Sequence, residues 1–134
     1  MILGLDHVAI AVHDLPTAVR RFAEDLGIAC TSIQDVHSAS TTTAFLPIAG
    51  PTSLEIVAPL DHSGPLVRHL AKRGPGLHHL CFRTDDIAGD MRRLLALGYR
   101  FTTPAPTSGA HGSLVAFLHP ASTGGVLIEL TEHP

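Results

Sequence analysis

Apolar and polar residues alternate over LDHVAIAV at 5–12, a period of two that predicts a half-buried strand. Directly after it Leu15, Val19, Phe22 and Leu26 recur at helical spacing behind Asp14, a residue able to cap the first turn, and Gly27 closes the segment. Three β-rich stretches follow at about 28–35, 41–47 and 52–58, divided by polar residues, Pro47, Gly50 and Pro51. The order then returns: a strand near 77–84, a helix near 86–97 built on Ile87, Met91, Leu94 and Leu95, and strands near 99–103, 113–119 and 125–131. Between the two sets, Ser63–Arg73 reads as a short linking helix.

The order repeats because the sequence does. LDHVAIAV at 5–12 aligns with LHHLCFRT at 77–84, an offset of 72 residues that sets His7 on His79, Asp14 on Asp86 and Arg20-Arg21 on Arg92-Arg93. Leu26-Gly27 matches Leu97-Gly98 one residue short, and SLEIV at 53–57 matches LIELT at 127–131, so that Glu55 falls on Glu129. The pattern implies a single α+β domain made of two tandem β-α-β-β-β modules, 1–60 and 76–134, joined by a linker helix within 61–75. Such a module leaves one sheet face without a helix. Two of them can hide those faces by curling into a half-open barrel around a cavity.

Four polar side chains then fall where a core is expected. His7 shares a face with Leu5 and Ala9, His79 with Leu77 and Cys81, Glu55 with Val57 and Glu129 with Leu127. A lone strand histidine is more often a satisfied core or surface residue than a ligand, and a lone glutamate can face solvent on an edge strand. The repeated His and Glu pair changes that balance, because an unpartnered buried carboxylate costs on the order of several kcal/mol. Lys72 is the only lysine, and the paired arginines sit opposite the apolar positions of their helices, so a divalent metal is the economical counter-charge. Two neutral imidazoles and two carboxylates cancel its charge and supply mixed N and O donors suited first to Co2+, and also to Mn2+, Ni2+, Zn2+ or Fe2+. An octahedral ion held this way keeps two positions open. His78 is set aside because it points away from the face of His79 and falls on Asp6 in the repeat.

The remaining histidines carry less. His13, His37, His62, His69 and His133 lie in expected turns, loops or exposed helix positions, whereas His111 and His119 are harder to dismiss. Ser108-Gly109-Ala110-His111-Gly112 is a small flexible loop able to bring backbone N–H groups to an anion, although a tight turn without a ligand fits the spacing equally well.

Composition narrows the function further. With 134 residues, 45% apolar and 16% charged, the chain can bury one core. A net charge of −3 gives no basic surface for nucleic acid. No apolar run approaches a membrane span and the first residues lack the features of a signal peptide, so a cytoplasmic location is expected. Two cysteines without CxxC spacing argue against a disulfide.

LDHVAIAV at 5–12, LEIVAPL at 54–60 with Gly64-Pro65, GLHHLCF at 76–82, GAHG at 109–112 and FLHPASTGGVLIEL at 117–130 together carry a family likeness. Over essentially its whole length the chain resembles the methylmalonyl-CoA epimerases of the vicinal oxygen chelate superfamily. The resemblance implies that His7, Glu55, His79 and Glu129 ligate a divalent metal, and that a metal-stabilised enolate links the 2R and 2S forms of methylmalonyl-CoA. It makes the enzyme an isomerase with a small acyl-CoA partner, and a homodimer by analogy. Some relatives carry a catalytic Glu on the strand corresponding to about 41–46, where this chain has Thr42 and Thr43, so Glu129 is left as the one base candidate. Relatives often carry Lys where Ser113 stands, which passes substrate contact to Ser108, Gly109, Ala110, His111 and Gly112. A glyoxalase I type lyase shares the ligand order and is the main alternative. A ligand-sequestering protein of the same superfamily would commonly lose the ligands, and an extradiol dioxygenase needs only two His and one carboxylate.

Overall fold

The computed structural model describes residues 1–134. Its elements run β1 (Ile2–Ala11), α1 (Leu15–Arg20), β2 (Ser32–Val36), β3 (Thr41–Pro47), β4 (Ser53–Pro59), α2 (Pro65–Arg73), β5 (Gly76–Thr84), α3 (Ile87–Ala96), β6 (Thr107–Ser108), β7 (Leu114–Leu118) and β8 (Ile128–Glu132). The fold is mixed α+β, with strands in the order β2-β3-β4-β1-β5-β8-β7-β6. The chain forms two compact units, Met1–Asp6 with His79–Pro134, and His7–His78. The division falls inside β1.

In the unit His7–His78, β1 pairs in parallel with β4, setting Ala9 against Glu55, and β3 pairs antiparallel with both β4 and β2. Asp14 caps α1 by accepting the Thr17 N–H at 3.1 Å, and Gly27 (φ 75°) ends the helical stretch after a wide π turn over Arg21–Asp25. Ala18 of α1, with half-buried Leu15, Val19 and Phe22, packs on Ala44, Leu46, Leu54 and Ile56. Leu46 and Ile56 are completely buried, each contributing roughly 1.5–3 kcal/mol. On the other face of β1 and β4, Ala11 and Val57 meet Leu66 and Leu70 of α2.

The other unit repeats this construction. β5 pairs in parallel with β8, setting Cys81 against Glu129, and β7 pairs antiparallel with β8 and β6. Asp86 caps α3 by accepting the Gly89 N–H at 2.9 Å. Ile87 and Met91 pack on Ala116 and Leu130, with half-buried Phe82, Leu94 and Phe101 around them.

Three expectations from periodicity give way here: the π turn over Arg21–Asp25 breaks the helical period and leaves Leu26 61% exposed, and two more fail in the second repeat. The strand expected at 99–103 is reduced to one isolated bridge, Phe101 to Leu118, and β6 forms later as a two-residue strand at Thr107–Ser108. Pro104 and Pro106 lie between them, and proline has no N–H to give to a ladder. Leu95, expected in the core of α3, is 50% exposed, because the buried stripe follows Ile87, Met91 and Leu94 at i, i+4 and i+7.

Candidate metal centre

β1 and β4 place His7 and Glu55 on the same face, the former opposite Ser53 and the latter opposite Ala9. His7 is 5% exposed, and its Nδ1 lies 2.8 Å from Glu55 Oε2. The repeat does the same with β5 and β8: His79 and Glu129 are buried, and His79 Nε2 lies 2.7 Å from Glu129 Oε2. Phe117 holds the His79 ring edge to face, with centroids 5.3 Å apart and planes at 85°. Each carboxylate oxygen thus lies within hydrogen-bond distance of an imidazole nitrogen of the same repeat.

Each unit thus holds one imidazole beside one carboxylate, and His7, His79 and Glu129 are all buried. Glu55, the partner of His7, is half-buried. These residues are consistent with a divalent metal site, because imidazole nitrogens and carboxylate oxygens are the mixed donors that first-row divalent ions accept.

The 108–112 loop is built differently from a simple anion cradle. The Gly109 N–H donates to the Ser113 carbonyl at 2.9 Å, the Ser113 N–H to the Ala110 carbonyl at 3.1 Å, and the Ser113 hydroxyl to the same carbonyl at 2.7 Å. A Cβ on Gly109 would come within 2.6 Å of Val115 and 2.7 Å of the Ser113 hydroxyl, which explains glycine there. His111 takes a left-handed conformation (φ 56°, ψ 33°) and is exposed. His119 is exposed too, and its Nδ1 accepts the Ala121 N–H at 3.1 Å as the cap of a short turn. Thr43 is buried, while Thr42 donates its hydroxyl to Asp35 at 2.9 Å.

Pattern reasoning missed the side chains around Asp6. Asp6, one residue before His7, is 6% exposed, and its Oδ1 accepts from Arg83 Nε at 3.1 Å and Nη2 at 2.7 Å, with His133 Nε2 at 2.7 Å from the same oxygen. His133 is therefore more than a surface residue, since it touches a buried carboxylate 127 positions away. The available signal was the polar pair Asp6-His7 within an apolar strand.

Residues 6–117 match the Glyoxalase/Bleomycin resistance protein/Dioxygenase superfamily. The chain belongs to that superfamily. Among its relatives, Ethylmalonyl-CoA/methylmalonyl-CoA epimerase of Cereibacter sphaeroides is 37% identical over 134 residues, covering 98% of this chain and 99% of that one. The crystal structure of methylmalonyl-CoA epimerase from Mycobacterium tuberculosis superposes with a TM-score of 0.95 at 35% identity, over 99% of this chain and 89% of the other. A variant of Streptomyces coelicolor methylmalonyl-CoA epimerase in complex with 2-nitronate-propionyl-CoA superposes with a TM-score of 0.94 at 30% identity, over 99% of both chains.

Proposed function

We propose that this superfamily member is a metal-dependent epimerase that interconverts (2R)- and (2S)-methylmalonyl-CoA. One observation carries the reading: each repeat sets an imidazole against a carboxylate, His7 with Glu55 at 2.8 Å and His79 with Glu129 at 2.7 Å, in a chain whose near full-length relatives include methylmalonyl-CoA epimerases. In this reading His7, Glu55, His79 and Glu129 hold the ion, cobalt being the first candidate. A divalent ion bound there supplies a Lewis acid for the carbonyl oxygens on which negative charge develops when the C2 proton leaves.

The residues of the chain do the rest. The Glu129 carboxylate, buried on β8, removes or returns the proton at C2, with His79 fixing its oxygen. His7 holds Glu55 in the same manner on the other repeat. Thr43 offers a buried hydroxyl but no carboxylate, so the proton exchange on the second face is not carried by an acid on β3. Residues 108–112 contact the substrate in this reading through the groups that their own turn leaves outward, the His111 side chain first.

The test is deuterium wash-in at C2 of methylmalonyl-CoA in D2O. Cobalt-loaded protein is expected to exchange the proton and invert the centre. Chelation abolishes the exchange, and Glu129→Gln lowers it by about 10²–10⁴-fold, the range of a lost general base. Exchange that survives complete metal removal overturns the reading, and turnover of a glutathione hemithioacetal in its place would favour the lyase alternative.

A further inference from the structure

Phe117 lies on β7 directly opposite Glu129 of β8, and its ring meets the His79 ring edge to face with centroids 5.3 Å apart. Its neighbours Ala116 and Leu118 are buried, and Ala116 packs with Leu130 in the apolar cluster of α3. Side chains alternate along a strand, so Phe117 stands on the other face of the sheet, the face of His79 and Glu129. Glu129 is 7% exposed there, whereas Phe117 is only half-buried. Part of an aromatic ring is thus left open beside a buried carboxylate.

The first repeat carries the inverse arrangement. Phe45 falls on Phe117 at the offset of 72 residues and lies opposite Glu55 in the same way, but there the ring is buried and the carboxylate half-buried. Phe117 is the member of this repeated pair with apolar surface left for a ligand. If Glu129 exchanges the C2 proton, C2 comes within about 3–3.5 Å of its carboxylate. Directly opposite residues of an antiparallel pair have Cβ atoms about 4.5–5.5 Å apart, so a carbon in reach of the Glu129 oxygens is in van der Waals reach of the Phe117 ring. We propose that Phe117 is a specificity-determining residue: its ring is the wall against which the apolar substituent on C2 packs, and its size sets how large that substituent can be. The contact with His79 fixes the wall relative to the base. The proposal rests on the epimerase reading and on the proton-transfer role given to Glu129.

The test compares methylmalonyl-CoA with ethylmalonyl-CoA, whose C2 substituents differ by one methylene, in deuterium wash-in by metal-loaded full-length protein. One methylene against an apolar wall changes kcat/KM by about 10–200-fold. Phe117→Leu should therefore raise the ethyl-to-methyl ratio of kcat/KM by at least about ten-fold, and Phe117→Trp should lower it by a similar factor. Calorimetric affinities for butyryl-CoA and propionyl-CoA, which carry the same two substituents on C2 and need no turnover, should shift in the same direction. A ring that only supports His79 would slow both substrates alike, so a ratio unchanged within about two-fold in both variants overturns the proposal. If Phe117→Leu fails to fold, an unchanged ratio in Phe117→Trp overturns it alone. Exchange by the parent with an unmoved ratio in the variants removes this proposal and keeps the epimerase, whereas a parent that exchanges neither substrate removes both.

Discussion

At the residue scale, a buried carboxylate is stable only with partners, and this chain solves the problem in more than one way. Glu55 and Glu129 each take an imidazole, whereas Asp6 takes a guanidinium and a histidine on one oxygen. Asp90 of α3 relies on Thr84, Arg93 and the amino terminus. Burial pushes its carboxyl up, but the Thr84 hydroxyl at 2.5 Å, Arg93 at 3.1 Å and the amino terminus outweigh this and hold it below the ordinary carboxylate value. A carboxyl depressed in the folded state adds stability that is present in full above its unfolded value and lost as pH falls through its folded one. Asp90→Asn should therefore cost about 1–3 kcal/mol at neutral pH. Urea denaturation of both proteins checks this: the gap should shrink as the pH is lowered below the ordinary carboxylate range, and a gap independent of pH would contradict the assignment.

At the scale of elements, the two repeats use the same devices. Asp14 and Asp86 cap the helix that follows the first strand of each repeat, and each repeat sets its Glu opposite the second residue after its His, Glu55 against Ala9 and Glu129 against Cys81. The second cap is tighter, for a Cβ on Gly89 would lie 2.2 Å from Asp86 Oδ2. Gly89→Ala should thus destabilise the protein by about 0.5–2 kcal/mol through loss of the cap. In an Asp86→Ala background the same substitution should become stabilising by up to about 1 kcal/mol, because the obstructing side chain is gone and alanine is the better helix former. A double-mutant cycle in urea reads this reversal of sign, and simple additivity would refute it.

For the molecule as a whole, metal binding and folding are coupled, since the proposed ligands come from strands far apart in sequence, β1, β4, β5 and β8. An ion that binds only the folded chain adds about 2.7 kcal/mol at a concentration one hundred times its dissociation constant. Co2+ should accordingly raise the melting temperature, excess chelator should return it to the starting value, and Glu129→Gln should reduce the shift. Calorimetry with and without Co2+ measures it. No shift in the parent protein would count against a resident metal.

Much of this was legible in the sequence because it rests on short-range rules. Alternation put His7, His79, Glu55 and Glu129 on strand faces with apolar neighbours, the offset of 72 residues paired them, and Asp14 and Asp86 were visible as caps ahead of helical spacing. Composition and local pattern are physical constraints on the few residues nearest each position, and the structure agrees where those constraints act alone. Tertiary structure decided the rest. It replaced the strand expected at 99–103 by a single bridge and a later β6, turned Leu95 outward, and brought Arg83 and His133 to Asp6 across 77 and 127 positions. Such contacts depend on how distant segments pack, and no periodicity of 2 or 3.6 residues records which side chains will meet once the strands are aligned.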